Sequence, residues 1–355
     1  MEKTPPVEVI AIGPGRGESI VIRAAGYGWI VVDSCLHPTR VPQALHYLEM
    51  RGVAPDEVVL VVCTHWHDDH MKGMGALVHA YPSARFACTA AIHGKEFLEL
   101  VAGTEMGIHQ SSQPGLKEFA RVLRELSARG AQYALAKENT DLLRVGEGLV
   151  VRALAPCDAQ VVKGYAAIAD LLPTKSNRNP IPCPVENPSS VVLWISCDGV
   201  DILLGGDLPT ATDANEGWIA ILDSPAKWAR SASLFKVPHH GSPESDDNRI
   251  WSELLDKAVV ALVTPYTPQR PLETDCLRLI ESADRASISS SPHSRKQPKR
   301  HRIVKDQLAS TTKWIQPQES EISYVHCIRE TPGDSWVIDH YGSATPLDEI
   351  DWPSK

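Results

Sequence analysis

One seven-residue segment, Thr64-His65-Trp66-His67-Asp68-Asp69-His70, constrains the fold and chemistry of this chain more than any other. It follows Val58–Val62, a short β-branched run that predicts a buried strand. Because residues two apart on an extended segment point the same way, His65 and His67 can hold one metal ion. Asp69 and His70, on the turn that follows, can hold a second ion. The alternative is a polar surface turn whose histidines are incidental.

The ligand types indicate which metals fit. Imidazole nitrogen together with carboxylate oxygen suits zinc, manganese or iron better than calcium or magnesium. Two further segments offer the same groups at predicted strand ends. Asp207 follows two glycines, where backbone can approach closely and a carboxylate can bridge two ions, although a simple turn aspartate is the alternative. His239 and His240 follow the predicted strand Leu234–Val237 and provide one more imidazole.

The pattern His-x-His-x-Asp-His after a strand resembles the second signature of the metallo-β-lactamase superfamily. That resemblance implies a hydrolase with an α/β (α+β) fold, a four-layer αββα sandwich. Asp33, at the end of the predicted strand Trp29–Val32, matches the first motif of the superfamily. In that motif the aspartate supports the histidine loop by hydrogen bonding. An aspartate that only caps a turn is the alternative interpretation.

Four segments narrow the resemblance to the metal-hydrolase domain of the ComEC family of DNA-uptake proteins and its stand-alone relatives. They are Ile12–Ile22, Asn187–Leu193, Leu204–Asp207 and Phe235–Ser242. Members of that family are associated with metal-dependent cleavage of phosphodiesters, typically in nucleic acid. The resemblance therefore implies a phosphodiesterase or nuclease whose partner is a nucleic acid or a nucleotide. A carboxyl-ester, lactam or thioester hydrolase with the same metal centre, or a metal-stabilised binding module, are the alternatives.

The expected cofactors are two divalent metal ions, zinc or manganese. The predicted ligands are His65, His67 and Asn187 for the first ion, Asp69, His70 and either His239 or His240 for the second, and Asp207 as the bridge. Many superfamily members have a histidine where this chain has Asn187, which implies a more oxygen-rich first site and favours manganese over zinc. The expected catalytic residues are Asp69, Asp207 and His240. The histidine of the pair that is not a ligand would hydrogen-bond the developing charge or the leaving oxygen.

A basic run, Ser294–Arg302, stands out in a chain of net charge −9. Lysine and arginine side chains in such a run can contact a phosphate backbone, but a solvated loop is an equally good interpretation. The predicted substrate-binding residues are Ser242, Arg295, Lys296, Lys299 and Arg300. The acidic net charge argues against a surface coated in positive potential, so any contact with nucleic acid must be local.

Strand and helix patterns recur along most of the 355 residues, and no convincing domain linker interrupts them. We expect one domain over residues 1–355, with a helical and loop insertion at about 92–185 and a C-terminal extension at about 291–355. Within the insertion, Pro173–Pro184 carries four prolines, which favours a long ordered loop or lid over the site.

The first residues lack a basic segment followed by an apolar core, and no apolar stretch approaches the roughly 18 residues of a membrane helix. The eight cysteines are scattered, without a C-x-x-C pair, which favours a reducing compartment. We therefore expect a cytoplasmic protein without membrane partners. The oligomeric state is left open.

Overall fold

A computed structural model describes residues 6–13, 17–37, 40–92, 94–105, 114–171, 187–211, 213, 215–226, 230–266, 271–291, 322–350 and 352. In these residues the strands, numbered along the chain, are β1 (Val7–Ile12), β2 (Ser19–Arg23), β3 (Trp29–Val32), β4 (Val58–Cys63), β5 (Arg85–Thr89), β6 (Tyr133–Ala136), β7 (Thr140–Val145), β8 (Leu149–Ala155), β9 (Val192–Cys197), β10 (Val200–Leu204), β11 (Ala232–Lys236), β12 (Leu255–Val263), β13 (Arg285–Ile288), β14 (Tyr324–Arg329), β15 (Val337–Tyr341) and β16 (Thr345–Pro346). The α-helices are α1 (Gln43–Met50), α2 (Asp68–Met71), α3 (Met74–Ala80), α4 (Lys95–Glu105), α5 (Pro114–Ala128), α6 (Asp158–Leu171), α7 (Gly217–Asp223) and α8 (Glu273–Ser282).

The strands form two eight-stranded mixed sheets. The first has the order β15-β14-β1-β2-β3-β4-β5-β6, and the second has the order β16-β13-β12-β11-β10-β9-β8-β7. In the first sheet β3, β4, β5 and β6 run parallel to one another. In the second sheet β10, β11, β12 and β13 do the same. The carboxyl ends of parallel neighbours lie at one edge of a sheet, which is where ligand-binding loops gather in such folds.

Strand β4 is apolar along its whole length because both of its faces are buried. In β4, Leu60 and Val62 lie in the core between the two sheets. Val61 and Cys63 of the same strand lie in the core between the first sheet and its helices. Side chains of a strand alternate between its faces, so a strand with cover on both sides needs a continuous apolar run.

Helices cover the outer face of each sheet. Leu48 of α1, Leu77 of α3 and Phe119 of α5 belong to the core outside the first sheet. Trp218 of α7 and Leu279 of α8 belong to the core outside the second. The layers are therefore helix, sheet, sheet, helix, and the predicted αββα sandwich is confirmed.

Several predicted elements have different bounds in the structure. The sequence of Lys72–Ala80 predicts a helix, but α3 begins only at Met74, because Gly73 adopts a left-handed conformation (φ +87°) that separates α2 from α3. The sequence also predicts a helix over Gly217–Arg230, whereas α7 ends at Asp223. A third helix is predicted over Trp251–Leu255, but the structure has a single π-helical turn there, Ile250–Leu254, and β12 begins at once after it.

The segment predicted as an insertion contributes strands to both sheets. We predicted none in residues 92–185, yet β6 forms one edge of the first sheet, and β7 and β8 extend the second. Likewise, within the predicted C-terminal extension, β14 pairs with β1 and β16 pairs with β13. The predicted lid, Pro173–Pro184, lies outside the described residues.

Of the helices in the described part of the chain, none combines the length and apolar character that a membrane crossing requires. The described cysteines are free thiols, and all of them are buried.

Candidate metal centre

The histidine segment begins directly after β4 and is anchored by Asp33 at the end of β3. The carboxylate of Asp33 accepts hydrogen bonds from the backbone N–H of Thr64 at 2.7 Å and from its hydroxyl at 2.6 Å. The same carboxylate lies 2.8 Å from Nδ1 of His70. Because an ionised carboxylate only accepts, Nδ1 of His70 carries a proton, and in the neutral imidazole Nε2 is a lone pair facing the site.

His65 and His67 present ring nitrogens to each other across the loop. Nε2 of His65 lies 3.1 Å from Nδ1 of His67. The hydroxyl of Thr64 donates to Asp33, so at 3.0 Å it can only accept from Nδ1 of His65. Nε2 of His65 is therefore an acceptor, and it and Nδ1 of His67 face the same point of the site.

Asp207 follows β10 and lies at the centre of the cluster. Its Oδ2 is 3.3 Å from Nε2 of His70, 3.6 Å from Nε2 of His240 and 3.9 Å from Nε2 of His65. Oδ2 of Asp69 lies 3.2 Å from Nε2 of His240. Loops from both sheets thus bring Asp69, Asp207 and three histidines together, as the sequence analysis expected.

The paired histidines face different neighbours. Nδ1 of His240 donates to the backbone carbonyl of Thr264 at 2.8 Å, which directs its Nε2 toward Asp69 and Asp207. Nε2 of His239 instead lies 3.0 Å from Nδ2 of Asn187. Both histidines have left-handed backbone conformations, with φ of +50° and +55°, which is uncommon for residues other than glycine. This turn directs the two imidazoles to separate parts of the site.

A cleft of about 710 Å³ opens above the cluster. Among the predicted residues, His67, Asp69, Asn187, Asp207, His239, His240 and Ser242 line it. Arg295, Lys296, Lys299 and Arg300 lie outside the described residues. No lysine or arginine is among the lining residues in the described part of the chain, whereas Asp68, Glu244 and Asp275 are.

The buried acceptor atoms of the cluster favour a bound cation. Within the described part of the chain, Nε2 of His70 and Oδ1 of Asp207 are buried without a hydrogen-bond partner, and so is Oδ1 of Asn187. Since Nε2 of His70 and of His240 are lone pairs facing carboxylate oxygens, neutral imidazoles would place acceptor against acceptor. A proton or a metal ion between them removes that conflict. Ligand atoms of Glu18, His70, Asp207 and His240 all lie within 4.8 Å of one another, so this group can hold a metal ion.

The pKa values follow from the same proximity. Burial raises the pKa of Asp207, but His70 and His240 outweigh it and hold the pKa well below its usual range. Burial lowers the pKa of His70, but Asp207 and Asp69 outweigh it and raise the pKa well above 6.5. The pKa of His65 is well below 6.5, mainly because of burial. Metal binding therefore competes with a proton on His70, and metal affinity falls as the pH falls.

The sequence analysis missed three residues behind the cluster: Glu18, Lys236 and Thr264. Glu18 and Lys236 are 2% and 1% exposed, and the carboxylate and ammonium groups are 2.7 Å apart. The hydroxyl of Thr264 donates to the same carboxylate at 2.5 Å. A sequence signal existed, since a lone lysine in the apolar run Leu234–Val237 needs a buried partner.

Comparisons with known proteins give one family model and several solved structures that resemble this chain. The sequence model described as the metallo-beta-lactamase superfamily matches residues 12–102. The chain is similar to the metallo-beta-lactamase fold protein YhfI of Bacillus subtilis, with 12% identity, 80% of this chain and 95% of that one covered, and a TM-score of 0.41. It is also similar to a metallo-beta-lactamase of Cronobacter sakazakii, with 15% identity, 64% and 73% covered, and a TM-score of 0.35. A search of curated protein sequences found no match.

Proposed function

We propose that this chain belongs to the metallo-β-lactamase superfamily and is a metal-dependent hydrolase that cleaves phosphodiesters in nucleic acid or nucleotides. The observation that carries the hydrolase proposal is the set of buried lone pairs around Asp207. Three imidazole nitrogens and a carboxylate oxygen face one another there, and the Oδ1 atom of Asp207 has no partner in the residues that the structure describes.

Two ions would be held by different parts of the cluster. His65, His67 and Asn187 would hold the first, and Asp69, His70 and His240 the second, with Asp207 between them. His240 is assigned in preference to His239 because its Nε2 faces Asp69 and Asp207, whereas Nε2 of His239 faces the side chain of Asn187. The oxygen ligand that Asn187 contributes supports manganese over zinc at the first position.

Divalent ions at such a site lower the pKa of water from about 15.7 toward 7 and polarise the scissile group. The residues of the chain hold and orient the reactants. Asp69 lines the cleft and keeps 17% of its side chain exposed, so it can take a proton from the attacking water. His239 also lines the cleft, where it can hydrogen-bond the substrate or the leaving oxygen.

The substrate class rests on the segments that resemble the ComEC family, above all Asn187–Leu193 and Phe235–Ser242, and on the basic run Ser294–Arg302. One observation favours a second candidate. Carboxylates line the cleft and no lysine or arginine joins them in the described residues, which suits an uncharged carboxyl ester, lactam or thioester better than a polyanion.

A substrate panel separates the two candidates. The purified protein is loaded with manganese or with zinc and incubated with bis-p-nitrophenyl phosphate, single-stranded DNA, RNA, a β-lactam and a thioester. We expect cleavage of the phosphodiesters, with loss of activity in His67→Ala. The control is His79→Ala, because His79 is exposed on α3 and pairs with Glu125 away from the cleft.

Turnover of the β-lactam or the thioester alone would overturn the phosphodiester assignment and leave the metal centre standing. Full activity in metal-loaded His67→Ala would overturn the ligand assignment. Absence of turnover on every substrate, with metal bound, would mean that the chain is a metal-stabilised binding module.

A further inference from the structure

The geometry points to Glu18 and Lys236 as a positioning pair for the second metal position, with Glu18 acting through its neighbours and not as a ligand. The inference rests on the proposed function only in that an ion is taken to bind between Asp69, His70 and His240. It concerns residues that the proposed reaction does not use, and it holds for any substrate.

Glu18 joins the two halves of the site. Its backbone N–H donates to the carbonyl of Asp69 at 3.0 Å, in the short helix α2 that follows β4 of the first sheet. Its carboxylate accepts from Lys236 at the end of β11 and from Thr264 just after β12, both in the second sheet. One residue therefore fixes α2, which carries Asp69, against the end of β11, which is followed by His240.

The preceding residue, Gly17, shows how closely the chain passes Asp69 at this point. Gly17 has a left-handed conformation (φ +82°), and a Cβ atom at this position would collide with the carbonyl oxygen of Asp69. Only glycine lets the chain pass close enough for Glu18 to make its backbone hydrogen bond.

The orientation of Glu18 argues against its being a ligand, although its oxygens lie near the cluster. The carboxylate is 3.6 Å from Nδ1 of His240 and 3.9 Å from Nδ1 of His70. Those nitrogens carry protons that are donated elsewhere, to the carbonyl of Thr264 and to Asp33. Asp69 and Asp207 lie on the opposite, Nε2 side of the rings. The carboxylate of Glu18, moreover, already pairs with Lys236 and with the hydroxyl of Thr264.

A negative charge on the Nδ1 side of both rings has a definite effect. It favours the form of each imidazole that is protonated at Nδ1, which leaves the Nε2 lone pair free for a metal ion. Oriented groups behind metal-binding histidines set the tautomer and ring direction in this way. Glu18 also holds the hydroxyl of Thr264, whose carbonyl is the direct hydrogen-bond partner of His240.

Stability alone does not account for the pair. Replacing a buried ion pair by apolar residues of similar volume is often neutral or stabilising, whereas removing one partner is strongly destabilising. A charge-balanced double variant, Glu18→Leu with Lys236→Met, therefore removes the pair without leaving an isolated buried charge. It separates the positioning role from the structural one.

The experiment titrates manganese, and separately zinc, into metal-free full-length protein by calorimetry, and records a melting temperature for each variant. We expect the double variant to melt close to the wild type, while its affinity for the second equivalent of metal falls about 10- to 100-fold. Its affinity for the first equivalent should stay unchanged. No substrate is used, so a wrong substrate assignment cannot imitate failure of the inference.

Two further variants complete the experiment, one as a second test and one as a control. Thr264→Val removes the hydroxyl that donates to Glu18 and leaves the charges of Glu18 and Lys236 in place. It should weaken the second binding step about tenfold. Glu8→Gln is the matched control, because Glu8 is also buried and paired with cations but lies on β1 away from the cluster. It should lower the melting temperature and leave both metal affinities unchanged.

Native affinity for the second equivalent in both the double variant and Thr264→Val would overturn the positioning role. Tighter metal binding in Lys236→Met would also overturn it, because it would mean that Glu18 is a ligand held back by Lys236. Equal weakening of both binding steps would show a general structural effect and would likewise contradict the inference.

Discussion

Two buried carboxylates of this protein, Glu8 and Asp207, differ in the groups that surround them. The oxygens of Glu8 accept hydrogen bonds from Arg23 at 2.9 Å, His326 at 2.8 Å and Arg51 at 3.3 Å. Oδ2 of Asp207 faces three imidazole nitrogens at 3.3 to 3.9 Å, and its Oδ1 has no partner among the described residues. The first carboxylate is paired with arginine side chains, whereas the second faces imidazoles, which can exchange their protons for a metal ion.

This difference distinguishes the structural ion cluster around Glu8 from the candidate metal site around Asp207. Burying a charge is costly unless it is paired, so a fold that buries Glu8 supplies its cations with it. Around Asp207 the fold supplies lone pairs and further carboxylates instead. A buried acceptor set that its own chain leaves unsatisfied is a reason to expect a bound cation, whereas burial of a carboxylate alone is not.

The largest effect should come from Asp207→Asn, which keeps the shape of the side chain and removes its charge. We expect metal content to fall toward zero and hydrolysis to drop by at least the order of 10²–10³-fold seen when one electrostatic element of a site is removed. Elemental analysis and initial rates measure these effects. If the variant keeps two bound ions and native rates, the contrast between the two carboxylates has no functional meaning.

An effect of intermediate size is expected from acid, which should remove the contribution of Glu8 to the free energy of unfolding. Burial raises the pKa of Glu8, but His326, Arg23 and Arg51 outweigh it and lower the pKa from 4.5 to about 2. This contribution to the free energy of unfolding is fully present above pH 4.5 and is lost as the pH falls toward 2. At about 1.36 kcal/mol for each tenfold change in proton affinity, it amounts to about 3 kcal/mol.

Urea denaturation of the wild type and of Glu8→Gln, at intervals between pH 6 and pH 2, tests this expectation on metal-free protein. The stability difference between the two proteins should be greatest at pH 6 and shrink toward pH 2. A difference that stays constant over that range would show that Glu8 keeps an ordinary pKa in the folded protein.

The smallest effect should come from Asn187→His, which adds an imidazole beside the first metal position. Oδ1 of Asn187 is buried and accepts no hydrogen bond from the described residues, so it is available to bind a metal ion. We expect zinc to bind the first position about tenfold more tightly, since imidazole suits zinc better than an amide oxygen does. Competition between zinc and manganese measures the change; unchanged zinc affinity would remove Asn187 from the ligand set.

Sequence patterns predicted the buried strands well because those strands have cover on both faces. The run Val58–Val62 predicted β4, which ends one residue later at Cys63. The structure gathers the polar residues at the ends of such runs, including Asp33, His65, Asp207 and His240, at one edge. Parallel strands place their carboxyl ends together, so this part of the site follows from fold class and motif position.

Other features depend on contacts between distant residues and could not be predicted in the same way. β7 is an edge strand in which Leu142 is buried but Arg144 and Val145 are exposed, so its apolar alternation is weak. Which histidine of the pair faces Asp207 depends on two left-handed backbone conformations. The pairing of Glu18 with Lys236, 218 residues apart, appears only once the two sheets meet.

The metal centre draws on both sheets, with the histidine segment from one and Asp207 and His240 from the other. A cation seated there links the two halves of the molecule, and it adds about 2.7 kcal/mol to the native state when its concentration is a hundred times its dissociation constant. The supply of ions in the cell would then govern how long each copy survives proteolysis, as well as how fast it works.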